Sequence, residues 1–226
     1  MTKRMTMVIC SLLSIFGWQG CSSNEAAMDN CVQVMQGAIE FPAVIYPQRY
    51  NEHRDRAQGH HGIVWQGGGA AHKALIEAQC ADRDILAALE QAGAEPGNNL
   101  TQETWSARND PDSPEPDQQV EGTAVRVTVQ WDEVEKPWHA LFREAGEEDF
   151  VIRVGGHAEL IPVWRSGCVT CLFSCPGGRT SNAAYTIRDQ AQQEMAFYAD
   201  EETLPADGTA VTVRMALVAG EEGSGG

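Results

Sequence analysis

In three stretches of this chain, apolar residues recur at every second position. Val125, Val127, Val129 and Trp131 do so within Gly122 to Trp131. Phe150, Ile152 and Val154 form a second series, and Val211, Val213, Met215 and Leu217 a third. Successive side chains of a β-strand point to opposite faces, so a period of two marks a strand with one face in a core. Two shorter runs, Gly62 to Gln66 and Lys73 to Gln79, read as strands around a Gly-Gly-Gly turn at 67 to 69. Asp82 to Ala92 has helical spacing, with Ile85, Leu86, Leu89 and Ala92 on one face. Asp82 is placed to cap it and Gly93 to end it. Pro137 to Glu144 suggests a second, short helix. Residues 107 to 122 form an acidic, proline-bearing loop. Strands and helices do not alternate regularly. The expected class is therefore α+β, with a mainly antiparallel sheet and one clear helix at 82–92.

Composition excludes several partners. The chain has 226 residues, 42% of them hydrophobic, which is enough for a core. Sixteen Lys and Arg stand against 32 Asp and Glu, a formal charge of −16. Nucleic-acid binding depends on basic neutralisation of phosphate, so no nucleic-acid partner is expected. An anionic membrane surface repels such a chain unless a separate anchor holds it.

The N-terminus supplies that anchor. Lys3 and Arg4 precede the apolar run Met7 to Trp18, the pattern of a secretory signal. The run is too short to span a bilayer. Trp18-Gln19-Gly20-Cys21 resembles a bacterial lipobox, with Cys21 as the lipidated residue and Ser22-Ser23-Asn24-Glu25 beginning a tether. Ser22 after the cysteine favours the outer membrane by resemblance to bacterial sorting. The expected organisation is a signal at 1–20, a polar tether at 21–40, one domain at 41–220 and a flexible tail at 221–226. Removal of 1–20 leaves a charge of −18, fourteen basic against 32 acidic side chains.

Export changes how the seven cysteines read. With Cys10 removed and Cys21 acylated, Cys31, Cys80, Cys168, Cys171 and Cys175 are the disulfide candidates. The expected pattern is one bridge inside the 168–175 cluster and one from the cluster to Cys80 or Cys31. Alternatives remain open at this cluster. Cys168-x-x-Cys171-x-x-x-Cys175-Pro176 matches three of the four positions of a bacterial ferredoxin run, with Arg165 where the first cysteine would stand. Three thiolates with His157 or Cys80 make a zinc set. Cys168 and Cys171 also have the spacing of a redox pair, without an evident βαβ context.

Other signals are weaker. His60, His61 and His72 are metal-ligand types in a polar setting. Asp110 to Glu121 lacks the spacing of a calcium loop. Gly67 to Lys73 lacks the spacing of a phosphate loop, and no Gly-x-Ser-x-Gly or His-Glu-x-x-His occurs. Gly177 to Asn182 is a turn-prone polar run beside the cysteines, and the place where a binding surface is first sought.

The segment His72 to Gly97 carries a further pattern: a strand with His near its start, a helix ending Ala88-Leu89-Glu90-Gln91-Ala92-Gly93, then Pro96-Gly97. It resembles the hallmark of the YdjY-domain family of bacterial envelope proteins, and Val125 to Trp131 sits where that family has a strand. The resemblance covers roughly residues 55 to 200. The family's His-Glu is His72-Lys73 here. The resemblance implies fold and envelope location and carries no reaction. The expectation is a non-enzymatic envelope lipoprotein, without cofactor, presenting a surface to a protein or small ligand. The alternative is a redox or metal protein, iron–sulfur or zinc, that uses Cys168, Cys171 and Cys175.

Overall fold

The computed structural model describes residues 31–53, 59–157, 159–193 and 195–218. The signal, Cys21, the first part of the tether and the tail at 221–226 lie outside the described residues. The strands are β1 (Gln33–Met35), β2 (Ala38–Ile45), β3 (His61–Trp65), β4 (Ile76–Ala78), β5 (Val125–Trp131), β6 (Val134–Pro137), β7 (Ile152–Val154), β8 (Cys168–Cys171), β9 (Thr180–Asn182) and β10 (Thr209–Leu217). The helices are α1 (Pro47–Glu52), α2 (Asp82–Gln91), α3 (Gln102–Ser106), α4 (Ile161–Trp164) and α5 (Ile187–Gln192).

All ten strands join one curled sheet in the order β6-β5-β10-β2-β4-β3-β8-β9-β7, with β1 on β2. This corrects the expected class. The protein is mostly sheet, and the sheet is mixed: β3 pairs β4 in parallel, and so do β8 and β9. The β3–β4 pair arises where the sequence suggests a hairpin. Gly67 to Gly69 do not turn the chain back on itself. Trp65, Gly69 and Ala70 donate backbone N–H bonds to the carbonyls of Gly167, Arg165 and Ser166. A Cβ on Gly68 would lie 2.4 Å from the Ser166 oxygen, so only glycine fits this contact. The chain then crosses over through a 3-10 turn at Ala71–Lys73 and enters β4 running the same way as β3. The expected strand at 73–79 is therefore shortened to Ile76–Ala78.

The alternating stretches behave as read. In β5, Val125, Val127, Val129 and Trp131 are buried, and in β10 so are Val211, Val213 and Met215. They meet Ile39, Phe41, Ala43 and Ile45 of β2 in one core. Full burial of each large aliphatic or aromatic side chain contributes about 1.5–3 kcal/mol. β1 and the start of β2 occupy residues expected in the polar lead-in, and Cys31 is bridged to Cys80 at a Cα separation of 5.6 Å.

α2 lays Ile85, Ala88 and Leu89 on the core. Gly93, at φ +104, ends it: its N–H bonds Glu90 and that of Ala94 bonds Leu89. That pairing is a Schellman motif. Asp82 is not the cap. Ala81 holds that position without a side-chain bond, and the Asp82 carboxylate is committed to Arg179. The expected helix at 137–144 is a 3-10 turn, Trp138–Leu141, with Pro137 closing β6. The acidic loop is held by Arg188, whose guanidinium donates to Asp117 and to the carbonyls of Asp110 and Ser113.

Candidate functional site

β8 lies between β3 and β9, and all four of its residues are buried. Across from it, His61 registers with Cys171 and Val64 with Cys168, with an irregularity at Ile63 that offsets the pairing. The Leu172 N–H bonds the His60 carbonyl, which fixes both histidines at the end of β8. After Cys171 the chain folds back on itself. Gly178 N–H donates to the Cys175 carbonyl, Arg179 N–H to the Cys168 carbonyl, and the Ser181 hydroxyl to the Cys175 carbonyl. This turn gathers three thiols. Cys168 and Cys175 both act on the titration of Cys171.

These thiols are free, and the observed bridge is Cys31–Cys80. The expected pattern, with one bridge inside the cluster and one leading out of it, is thus corrected. Strand geometry gives a reason for the Cys168/Cys171 pair. Three steps at about 3.3 Å separate their Cα atoms by roughly 10 Å, whereas a bridge needs less than about 7 Å. It also removes the redox-pair reading for these two residues. Burial pushes the Cys171 thiol well above its ordinary range. Cys175 is raised first by its neighbour Cys171 and then by burial, against the opposing N–H groups of Gly177 and Gly178. Both are therefore thiols, not thiolates, at neutral pH.

Next to the cluster is a cavity of about 410 Å³. It is lined by His60, His61, Gln102, Trp105, Trp164, Ser166, Cys168 and Cys175. α3 supplies Gln102 and Trp105, and α4 supplies Trp164. The two indoles meet edge to face at 5.6 Å, and Trp164 Nε1 donates to Gln102 Oε1 at 3.1 Å. Trp164 lies close over Gly177, where a Cβ would come within 2.4 Å of the ring. His60 stacks at 3.9 Å on His61 and lies 5.8 Å from Trp105. Burial, then His61 and Lys73, lower its pKa well below the usual imidazole value, so the ring is neutral. His60 Nδ1 is buried and has no hydrogen-bond partner among the described residues.

Behind the thiols, Arg179 is nearly enclosed, its Nη2 donating to Asp82 Oδ2 at 2.6 Å. Its Nε and Nη1 are buried without partners among the described residues. Burial pulls its pKa down, and the nearby Asp82 and Cys168 act in the opposite direction.

The remaining predicted residues fall elsewhere. His157 is tied by its backbone N–H to the Pro176 carbonyl and does not line the cavity. Among the described residues, no group of three or more His, Cys, Asp or Glu is placed to hold a metal ion. The set Cys168, Cys171, Cys175 and His157 is therefore not assembled as a metal cage. His72 faces His53 at 6.3 Å, away from the cavity. Gly177 to Asn182 is not a surface. Arg179 to Asn182 are buried, and their polar groups are used internally: Thr180 Oγ1 meets Thr170 Oγ1 at 2.8 Å, and Asn182 bonds Val151, Ala184, Asp149 and Leu172. The sequence reading missed Gln102, Trp105, Trp164 and the Asp82–Arg179 pair. The signal available for them was two tryptophans outside any strand pattern.

Fold and site together define a class: a mixed-sheet domain with a buried thiol cluster at the wall of a tryptophan-lined cavity. The chain belongs to the YdjY domain family, whose pattern it matches over residues 31–216. It is 30% identical over 222 residues to the uncharacterized protein YdjY of Escherichia coli (strain K12), covering 93% of each chain. No solved structure matches it.

Proposed function

We propose that this chain is an exported, lipid-anchored envelope protein that binds a small ligand in the cavity walled by Trp105 and Trp164. The observation that carries the reading is the cavity itself. It is concave and largely aromatic, and it carries a few polar groups, among them a buried imidazole nitrogen with no partner among the described residues. Ligand sites have this character. The anchor rests on the run Met7 to Trp18 and on Gly20-Cys21. Acyl chains contribute about 0.8 kcal/mol per buried methylene, which holds even a chain of charge −18 after removal of 1–20 at a membrane. Ser22 supports the outer membrane. No catalytic residue is assigned.

Two measurements test this. The neutral dye N-phenylnaphthylamine should bind the purified protein saturably, one per chain. Trp164→Ala should weaken that binding about tenfold with unchanged circular dichroism. Absence of saturable binding, or equal binding by the variant, rejects the cavity as a ligand site. Cys21→Ala should move the protein from membrane to soluble fractions, and unchanged fractionation rejects the anchor.

A further inference from the structure

We propose that the cavity takes an uncharged, fused-ring aromatic ligand bearing one hydroxyl, its rings laid against Trp105 and Trp164 and its hydroxyl on a ring nitrogen of His60. The inference rests on the cavity being a ligand site, and it names the ligand class. Charge is excluded first. Among the described residues, no Asp, Glu, Lys or Arg lines the cavity. An ionised ligand would leave water and find no opposite charge on the wall, and burying an unpaired charge is costly. A cation fares no better on the indoles. The Arg108 guanidinium already lies over the Trp105 ring, 4.6 Å from its centroid, so an incoming cation meets a like charge there. The walls favour a flat, polarisable molecule instead. The indoles are inclined at 63° with centroids 5.6 Å apart, so a ring stacked on one meets the other near its edge. Both arrangements are favoured between aromatic rings. Cys168 and Cys175 add sulfur, which also packs well against such rings. A volume of about 410 Å³ lies toward the small end of ligand cavities, about 300–1,000 Å³, and suits two fused rings better than an extended ligand.

The hydroxyl follows from His60. This residue is 9% exposed and lines the cavity, and its Nδ1 has no partner among the described residues. A buried polar atom left unpaired is costly, and a ligand that pairs it recovers that cost. A half-turn about Cβ–Cγ keeps the ring plane and the stack on His61. It loses no bond at Nδ1 and exchanges the two edges of the imidazole, so a nitrogen meets the ligand along either edge. The ring is uncharged, so one nitrogen donates and the other accepts. A hydroxyl does both, and satisfies whichever nitrogen it meets. Two neighbouring polar atoms are already engaged. Gln102 Oε1 accepts from Trp164 Nε1, and Ser166 Oγ accepts from the Cys168 N–H. One hydroxyl is therefore enough.

The test is calorimetric titration of the purified full-length protein at neutral pH with ligands of one size: 2-naphthol, naphthalene, the anion 2-naphthoate and the cation 1-methylquinolinium. The expected result is one 2-naphthol per chain, in competition with N-phenylnaphthylamine. Naphthalene should bind about five- to tenfold more weakly, and each ion at least about tenfold more weakly. His60→Phe keeps a flat ring and removes both nitrogens. It should lower the affinity for 2-naphthol to that for naphthalene and leave naphthalene binding as in the wild type, a pattern that general damage to the fold would not give. If that variant does not fold, the ligand series on the wild-type protein decides alone. The proposal is overturned if naphthalene or either ion binds the wild type as tightly as 2-naphthol. It is equally overturned if folded His60→Phe retains the preference for the hydroxyl. N-phenylnaphthylamine separates this inference from the reading it rests on. Dye binding without a preference for 2-naphthol rejects the hydroxylated class and leaves the cavity as a ligand site, whereas absence of saturable binding by dye and naphthol alike rejects the site itself.

Discussion

Arg179 is the residue on which the site's rigidity turns. Its guanidinium is 4% exposed and has one charged partner, Asp82, at 12%. Removing one member of a buried pair leaves the other charge uncompensated, which costs about 3–5 kcal/mol. Asp82→Asn should therefore lower the unfolding free energy by about 3 kcal/mol, read from the urea midpoint at unchanged slope. A second pair predicts acid sensitivity. The Tyr185 hydroxyl donates to Asp149 at 2.6 Å and, with the Gly146 N–H, holds that carboxyl below its ordinary value of 3.8. The folded state therefore releases this proton more readily than the unfolded one. The bond's contribution is present above pH 3.8 and is lost as pH falls through the lower, folded value. Asp149→Asn should flatten the acid limb of a stability–pH curve in that window. At this scale the sequence displayed the cysteines plainly, because three thiols in eight residues need no fold to be seen. It hid their neighbours. Trp105, Trp164 and His60 arrive from distant segments, and Thr180, Ser181 and Asn182 read as surface because composition does not reveal whether a polar side chain has a partner.

Among the elements, β5 and β10 were legible because a period of two reports which face is buried. It does not report which strand lies alongside, or in which direction. The parallel pairing of β3 and β4 was invisible for that reason. It depends on Gly68 meeting the Ser166 carbonyl, a contact between positions nearly a hundred residues apart. Gly68→Ala should cost about 1–3 kcal/mol by overpacking and should loosen the Arg165–Gly167 segment. Amide exchange at Trp65, Gly69 and Ala70, whose N–H groups bond that segment, checks it. Slow exchange at wild-type rates would show that the contact is not limiting. The polar lead-in was misread past residue 32 for a related reason. β1 is exposed along much of its length and carries little apolar signal, and pairing with β2 makes it a strand.

For the whole molecule, the Cys31–Cys80 bridge closes a loop with a sequence separation of 49. In the chain-entropy account this contributes about 4 kcal/mol. Cys80→Ser, or selective reduction, should lower the melting temperature by roughly 8–16 °C, measured by calorimetry under matched buffer. An unchanged transition would show that the bridge constrains little of the unfolded chain. The sheet's order has another consequence. β10 lies between β5 and β2, with six residue pairs to β5 and eight to β2, yet it is the last strand among the described residues. Until it arrives, the β5–β6 hairpin has no backbone ladder to β2 and the core has no central slat. The core is thus prevented from locking shut early, and the chain stays slack until its closing strand is available.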